Sequence, residues 1–178
     1  MYNPKFLTDL MTNLNMNWDY ENIVTQSVTN HAWFRSASMY LNGNVHINIV
    51  TDIDEFTGNS LLKSFISNAV SFDNTYIQIV VDNYLAPYEV HELKNFVYEV
   101  ERGDGSNIWI VKSNKRIKGR YCIITGQKSN DSLLFSEKTC GTFTNQATPG
   151  FVSYKDQLLS GITGEDFKYM FAHGDKLK

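Results

Sequence analysis

The chain is poor in the residues that punctuate or staple a fold. Only two cysteines, Cys122 and Cys140, occur in 178 residues. They form no CxxC and have no Cys/His spacing suited to zinc, which excludes a disulfide-rich scaffold and a zinc-finger type of domain. Two reduced, mostly buried thiols are expected, because free cysteine behaves as a small apolar residue. Three prolines and scattered glycines mark no linker, so residues 1–178 read as a single globular domain. No apolar run approaches the roughly 20 residues needed to span a bilayer. The first twenty residues lack the basic start and apolar stretch of a secretory signal. A cytoplasmic location is expected.

Catalytic motifs are missing too. His31, His46, His91 and His173 show no HxH or HxxxH spacing, and none adjoins a cysteine. There is no Gly-x-Ser-x-Gly elbow and no Gly-rich phosphate loop between a strand and a helix. No catalytic residue, cofactor or metal is therefore expected. Asp52-Ile53-Asp54 resembles the opening motif of haloacid-dehalogenase-like phosphatases. Phe56, however, stands where that motif has Thr or Val, and Gly103-Asp104-Gly105 follows a helix rather than a strand. No family membership follows.

What is present is a core and a bias. The hydrophobic fraction is 42% and the aromatic fraction 13%, enough to bury a sizeable interior and exclude wholesale disorder. Asn is about a tenth of the chain and Lys outnumbers Arg about three to one. AT-rich codons produce this usage, so the expected source is a low-GC bacterium or its phage. For a phage-encoded chain the location would be the host cytoplasm.

The apolar pattern predicts an α+β fold with a mixed, mostly antiparallel sheet, two hairpins and about four helices lying mainly on one face. Helical spacing marks residues 4–14, 58–71, 86–102 and about 165–172. Pro87 suits a first turn, Glu89 and Glu92 suit the positive end of the third helix, and Gly103 suits its stop. Asn42-Gly43 is a strong hairpin signal and joins expected strands 32–41 and 44–51. Val45, Ile47 and Ile49 then face the core, while His46, Asn48, Met39 and Arg35 share the other face. Strand 44–51, helix 58–71 and strand 75–81 could form one right-handed βαβ unit. A second hairpin is expected from strands 107–112 and 116–125, followed by strands near 132–137 and 141–152.

The densest charge in the chain lies in that second hairpin. Lys112, Lys115, Arg116, Lys118 and Arg120 fall within residues 112–120, against a formal net charge of -3. Pairing the two strands sets Trp109, Lys118 and Arg120 on one sheet face. Cations beside an indole suit single-stranded nucleic acid, with phosphates on the cations and a base on the ring. They suit an acidic protein surface equally well. The expected binding residues are Trp109, Arg116, Lys118 and Arg120.

Carboxylates form the remaining constellation. Asp52 and Asp54 follow one strand of the βαβ unit and Asp82 ends its neighbour, with Glu55 nearby. Ligands collect at carboxyl ends of parallel strands, where such a set could hold Mg2+ for phosphoryl-transfer or nuclease chemistry. Missing motifs and abundant aromatics favour binding over catalysis. The expected function is a small non-enzymatic interaction protein that binds a protein partner as an inhibitor, anti-defence factor or structural subunit. Trp33, Trp109 and Tyr121 are its candidate anchors. The alternatives are a nucleic-acid-binding module using the basic hairpin and a metal-dependent enzyme using Asp52, Asp54 and Asp82. A homo-oligomer is compatible with each, and no membrane partner is expected.

Overall fold

The computed structural model describes residues 24–29, 33–35, 37, 41, 43–51, 61–84, 86–100, 107–117, 120–126, 132–137, 149–154 and 157–177. The elements run β1 (Val24–Thr29), β2 (Val45–Thr51), α1 (Leu61–Ala69), β3 (Thr75–Val81), α2 (Pro87–Val100), β4 (Ile108–Lys112), β5 (Tyr121–Gly126), β6 (Ser132–Glu137), β7 (Pro149–Tyr154), α3 (Gln157–His173) and β8 (Asp175–Lys176). The strands form one sheet in the order β1-β7-β6-β5-β2-β3-β4-β8. β2, β3 and β4 are parallel neighbours, and every other pairing is antiparallel. The α+β class and the mixed sheet are as expected from the sequence.

The parallel centre follows from local sequence. β2 and β3 alternate buried residues with half-buried or exposed ones and then turn fully buried at their carboxyl ends. Such strands need cover on both faces at one end. α1 and α2 cross from β2 to β3 and from β3 to β4, so the expected βαβ unit is present and a second follows it. α2 begins with Pro87 in its first turn. Glu89, three residues into the helix, accepts a hydrogen bond from the Ala86 backbone N–H at 2.6 Å, half of a capping box.

Period two divides the sheet into two faces. Val45, Ile47, Ile49, Ile77, Ile79, Ile108, Ile110, Cys122 and Ile124 point into one core with Leu62, Phe65 and Ile66 of α1 and Leu93, Phe96 and Val97 of α2. On the reverse face Val50 and Val80 pack with Ile117 and with Phe167 and Met170 of α3. Among the described residues the helices therefore lie mainly on one face, as expected, with α3 on the reverse. Two residues of opposite parity at the strand ends, Val50 and Val80, supply the apolar seat that α3 needs.

Neither expected hairpin forms where it was placed. Trp33–Arg35 and Ala37 are helical, and the Leu41 backbone N–H donates to the Ala37 carbonyl at 3.0 Å. Trp33, Ala37 and Leu41 are four residues apart and all buried, so helical periodicity prevails over the turn signal. Gly43 (φ 90°) and Asn44 (φ 56°) still reverse the chain, but from this helical stretch into β2. The second expected hairpin fails because β4 and β5 are separated by β2 and β3. The consecutive antiparallel pairings are instead β5–β6 and β6–β7. β1 and β8 were not expected, and α3 begins earlier than its sequence pattern suggested. The expected helix 4–14 lies outside the described residues.

Candidate functional site

The basic segment is a crossover, and three of its cations meet partners from other parts of the chain while Lys115 and Arg116 stay exposed. Residues 113–120 carry the chain from β4 past β3 and β2 to β5. Asp82, buried at the end of β3, fixes that path. Its Oδ2 accepts from Arg116 Nε at 2.9 Å, and its Oδ1 accepts from the backbone N–H of Ile117 at 3.1 Å and of Asn83 at 2.8 Å. Lys112 Nζ lies 3.5 Å from Asp175, and Lys115 Nζ sits 5.3 Å from the Tyr169 ring centroid. Arg120 is buried just before β5. Lys118 lies outside the described residues.

Trp109 is not among these cations. It stands in register with Gln78, four residues before Asp82 along β3, so roughly 13 Å separates it from the Arg116 anchor at about 3.3 Å per residue. The structure thus gathers Arg116 and Arg120 at the carboxyl ends of the parallel strands and leaves Trp109 out on the sheet face. A shared face for Trp109, Lys118 and Arg120 required β4–β5 pairing, which is absent.

The carboxylate set is represented by Asp82 alone, since Asp52, Asp54 and Glu55 lie outside the described residues. Both Asp82 oxygens already accept hydrogen bonds. Among the described residues no group of three or more His, Cys, Asp or Glu could hold a metal ion. Trp33 is fully buried and serves the core rather than a partner. Tyr121 is half-buried and bonds Asp166 of α3 at 3.2 Å. Burial, then the Asp166 charge and this hydrogen bond, push its phenol well above the usual tyrosine range. Among the described residues no helix is long and apolar enough to cross a membrane.

A different surface emerges on the reverse face, beyond the end that α3 covers. β2 presents His46 and Asn48 there, β3 presents Tyr76 and Gln78, β4 Trp109, and β5 Thr125. His46 is exposed and the other five are half-buried. The rings form a row: His46 stacks on Tyr76 at 5.5 Å between centroids, and Tyr76 meets Trp109 at 6.1 Å. Asn48 and Gln78 are register partners beside the row, and Thr125 pairs with His46. With the two amides, the three rings make a hydrogen-bonding, aromatic patch without Lys, Arg, Asp or Glu.

The sequence carried a signal for this patch. In VHINIV and TYIQIV, each position between the core residues is a neutral polar or aromatic residue. His46 and Asn48 were placed on the correct face. Their neighbours Tyr76 and Gln78 were missed because the pairing of β2 with β3 had not been used to align them. Tyr84, Tyr88 and Tyr98 are also exposed, before and along α2, where Glu92, Lys94 and Glu99 are interspersed in the sequence.

No protein-family model matches this chain, and no curated protein matches it. Solved structures share its fold at low identity. TrmBL2, an archaeal chromatin protein with a novel mode of DNA binding, aligns with TM-score 0.50 and 14% identity over 97% of this chain and 60% of its own. This chain therefore spans about 60% of that protein's length. Nuc from Salmonella typhimurium, a phospholipase D family member, aligns with TM-score 0.56 and 12% identity over 87% of this chain and 98% of its own. Polyphosphate kinase from Porphyromonas gingivalis aligns with TM-score 0.54 and 11% identity over 84% of this chain and 26% of its own. At these identities the likeness is one of fold.

Proposed function

We propose that this chain is a non-enzymatic interaction protein that binds a protein partner through the reverse sheet face carrying His46, Asn48, Tyr76, Gln78, Trp109 and Thr125. The observation that carries the reading is the composition of that face: aromatic and amide side chains, half-open, with no Lys, Arg, Asp or Glu among the six. Protein interfaces are enriched in aromatic residues and depleted of charge at their centres. Nucleic-acid surfaces need cations that track phosphates, and here Lys112, Lys115 and Arg116 each meet a partner elsewhere in the chain and none is among these six residues. The fold itself selects no function, since its neighbours range from a chromatin protein to a kinase.

The test is capture by tagged wild-type and Trp109→Ala baits, with and without nuclease, from lysate of a low-GC bacterium. A stoichiometric protein that survives nuclease and is lost with Trp109→Ala is the expected result. Circular dichroism of the variant checks its fold. Captured material that nuclease strips, or that Trp109→Ala still retains in full, would remove the reading.

A further inference from the structure

α2 turns Leu93, Phe96 and Val97 into the main core. At 3.6 residues per turn, the line of the helix farthest from those three runs through Tyr88, His91, Asn95 and Tyr98, which fall within about 80° of arc. All four are exposed, Tyr88 at 64% and Tyr98 at 85%. Charged residues are expected on the outermost line of a surface helix. Here that line holds no Asp, Glu, Lys or Arg, and the charges stand on its flanks: Lys94 on one side, Glu92 and Glu99 on the other. The positions 88, 91, 95 and 98 follow the alternating steps of three and four that make a coiled-coil seam, and its flanks are where charge sets the partner and its direction.

We infer that α2 pairs with α2 of a second copy of this chain, side by side and parallel about a two-fold axis. The flanks fix both the partner and the direction. In a parallel pair the residue before a seam position meets, across the seam, the flanking residue of the other helix five positions on. Lys94 then faces Glu99 of the second copy, and the two-fold axis supplies that contact twice. An antiparallel pair would instead bring the Glu92 and Glu99 flank against its own copy, and like charges oppose it. The seam agrees with its flanks. Asn95 lies within it, where the axis sets the residue against its own copy, and an amide carries both donor and acceptor and so pairs with itself. A single Asn at such a position specifies register. Tyr88 and Tyr98 bracket it with a residue type enriched among the anchors of protein contacts.

Area sets the strength of the pair. From Tyr88 to Tyr98 the seam is about 15 Å long, on a helix about 10 Å wide. That is far short of the roughly 800 Å2 per partner that stable interfaces bury, so the pair is weak and reversible. α2 packs on the sheet face opposite to the one that carries His46 and Trp109. Pairing through α2 thus leaves the reverse face of each copy pointing outward and makes the assembly bivalent. The inference stands apart from the reading of that reverse face, which Trp109→Ala tests separately.

Sedimentation of the purified chain at low salt, up to about 500 µM to reach a weak pair, tests the inference. A concentration-dependent dimer is expected. Lys94→Glu and Glu99→Lys, both at exposed positions, should each weaken it about tenfold, and mixing the two variants should restore it, because every flanking contact then joins opposite charges. Under mild oxidation Asn95→Cys should give a disulfide-linked dimer in excess of any that the wild type forms. A wild type that stays monomeric overturns the inference, and so does a dimer that both charge variants leave unchanged. An Asn95→Cys chain that links no more than wild type overturns the parallel register. A monomer that captures a foreign protein through Tyr98, lost with Tyr98→Ala, would give the stripe to another partner and overturn the second copy as well.

Discussion

Arg116 Nε bonds Asp82 Oδ2 at 2.9 Å and so ties the chain's most basic segment to the end of β3, the middle of its three parallel strands. The two partners are unequal. The Asp82 side chain is 8% exposed and the Arg116 side chain 73%. Asp82 also accepts the backbone N–H groups of Asn83 and Ile117. The carboxylate is thus the hub that turns the crossover, and the arginine is its solvent-side partner.

Replacing the hub should cost far more than replacing its partner. Asp82→Ala removes three hydrogen bonds and leaves the Ile117 N–H buried without an acceptor, a loss of about 2–4 kcal/mol. Arg116→Ala should cost under about 1 kcal/mol, because exposed ion pairs contribute little. Urea unfolding of the two variants measures the ratio. Equal losses would show that the pair, rather than the backbone bonds, holds the crossover.

The same residues show what the sequence could and could not convey. Burial of Val45, Ile47, Ile49, Ile77 and Ile79 was legible, because period two in β2 and β3 is a local signal. The βαβ unit followed from it. The position of β5 was not legible. Strand order depends on which edges remain open after β2, β3 and β4 have paired, and nothing within residues 107–125 encodes that. Lys112, Lys115 and Arg116 read as part of a ligand surface because their partners Asp175, Tyr169 and Asp82 come from distant parts of the chain. The neutral face was half legible: His46 and Asn48 could be assigned to it from β2 alone, whereas Tyr76, Gln78 and Trp109 joined it through register.

The docking of α3 should depend on its own apolar seat. Phe167 and Met170 are buried against Val50, Val80 and Ile117, a cluster separate from the main core. Phe167→Ala should destabilise the protein by about 3–5 kcal/mol through lost transfer energy and a residual cavity. Hydrogen exchange should then rise in α3 and β8 while the amides of β2 and β3 stay protected, since the α1 and α2 side of the sheet is untouched. Uniform loss of protection would mean that the two clusters unfold as one unit.

Gly174 lets the chain turn from α3 into β8. A Cβ there would collide with Val111 Cγ1 and lie 2.5 Å from the Lys112 carbonyl oxygen, so two of its nearest neighbours belong to β4. The backbone cannot yield without breaking the bond from Leu177 N–H to the Ile110 carbonyl, 2.9 Å long, that helps to seal the edge of β4. Gly174→Ala should cost about 1–3 kcal/mol, the usual range for overpacking. A thermal melt measures it. An unchanged midpoint would show that the β8 end of the sheet is free to shift.

Alkaline pH should destabilise this protein earlier than an ordinary chain. Cys122 and Tyr121 are neighbours on β5, and both are pushed up from ordinary values of 9.0 and 10.0. Burial alone raises the thiol; burial, then the Asp166 carboxylate, raises the phenol. The native state therefore keeps two protons that the unfolded chain releases. Stability from both groups is complete below about pH 9 and declines as pH rises past it, because the unfolded state then binds fewer protons. Urea midpoints should be flat from about pH 7 to 8 and fall between about pH 9 and 10.5. Cys122→Val should remove the lower part of that decline and Tyr121→Phe the upper part. A decline that survives in the double variant would assign alkaline unfolding to other groups.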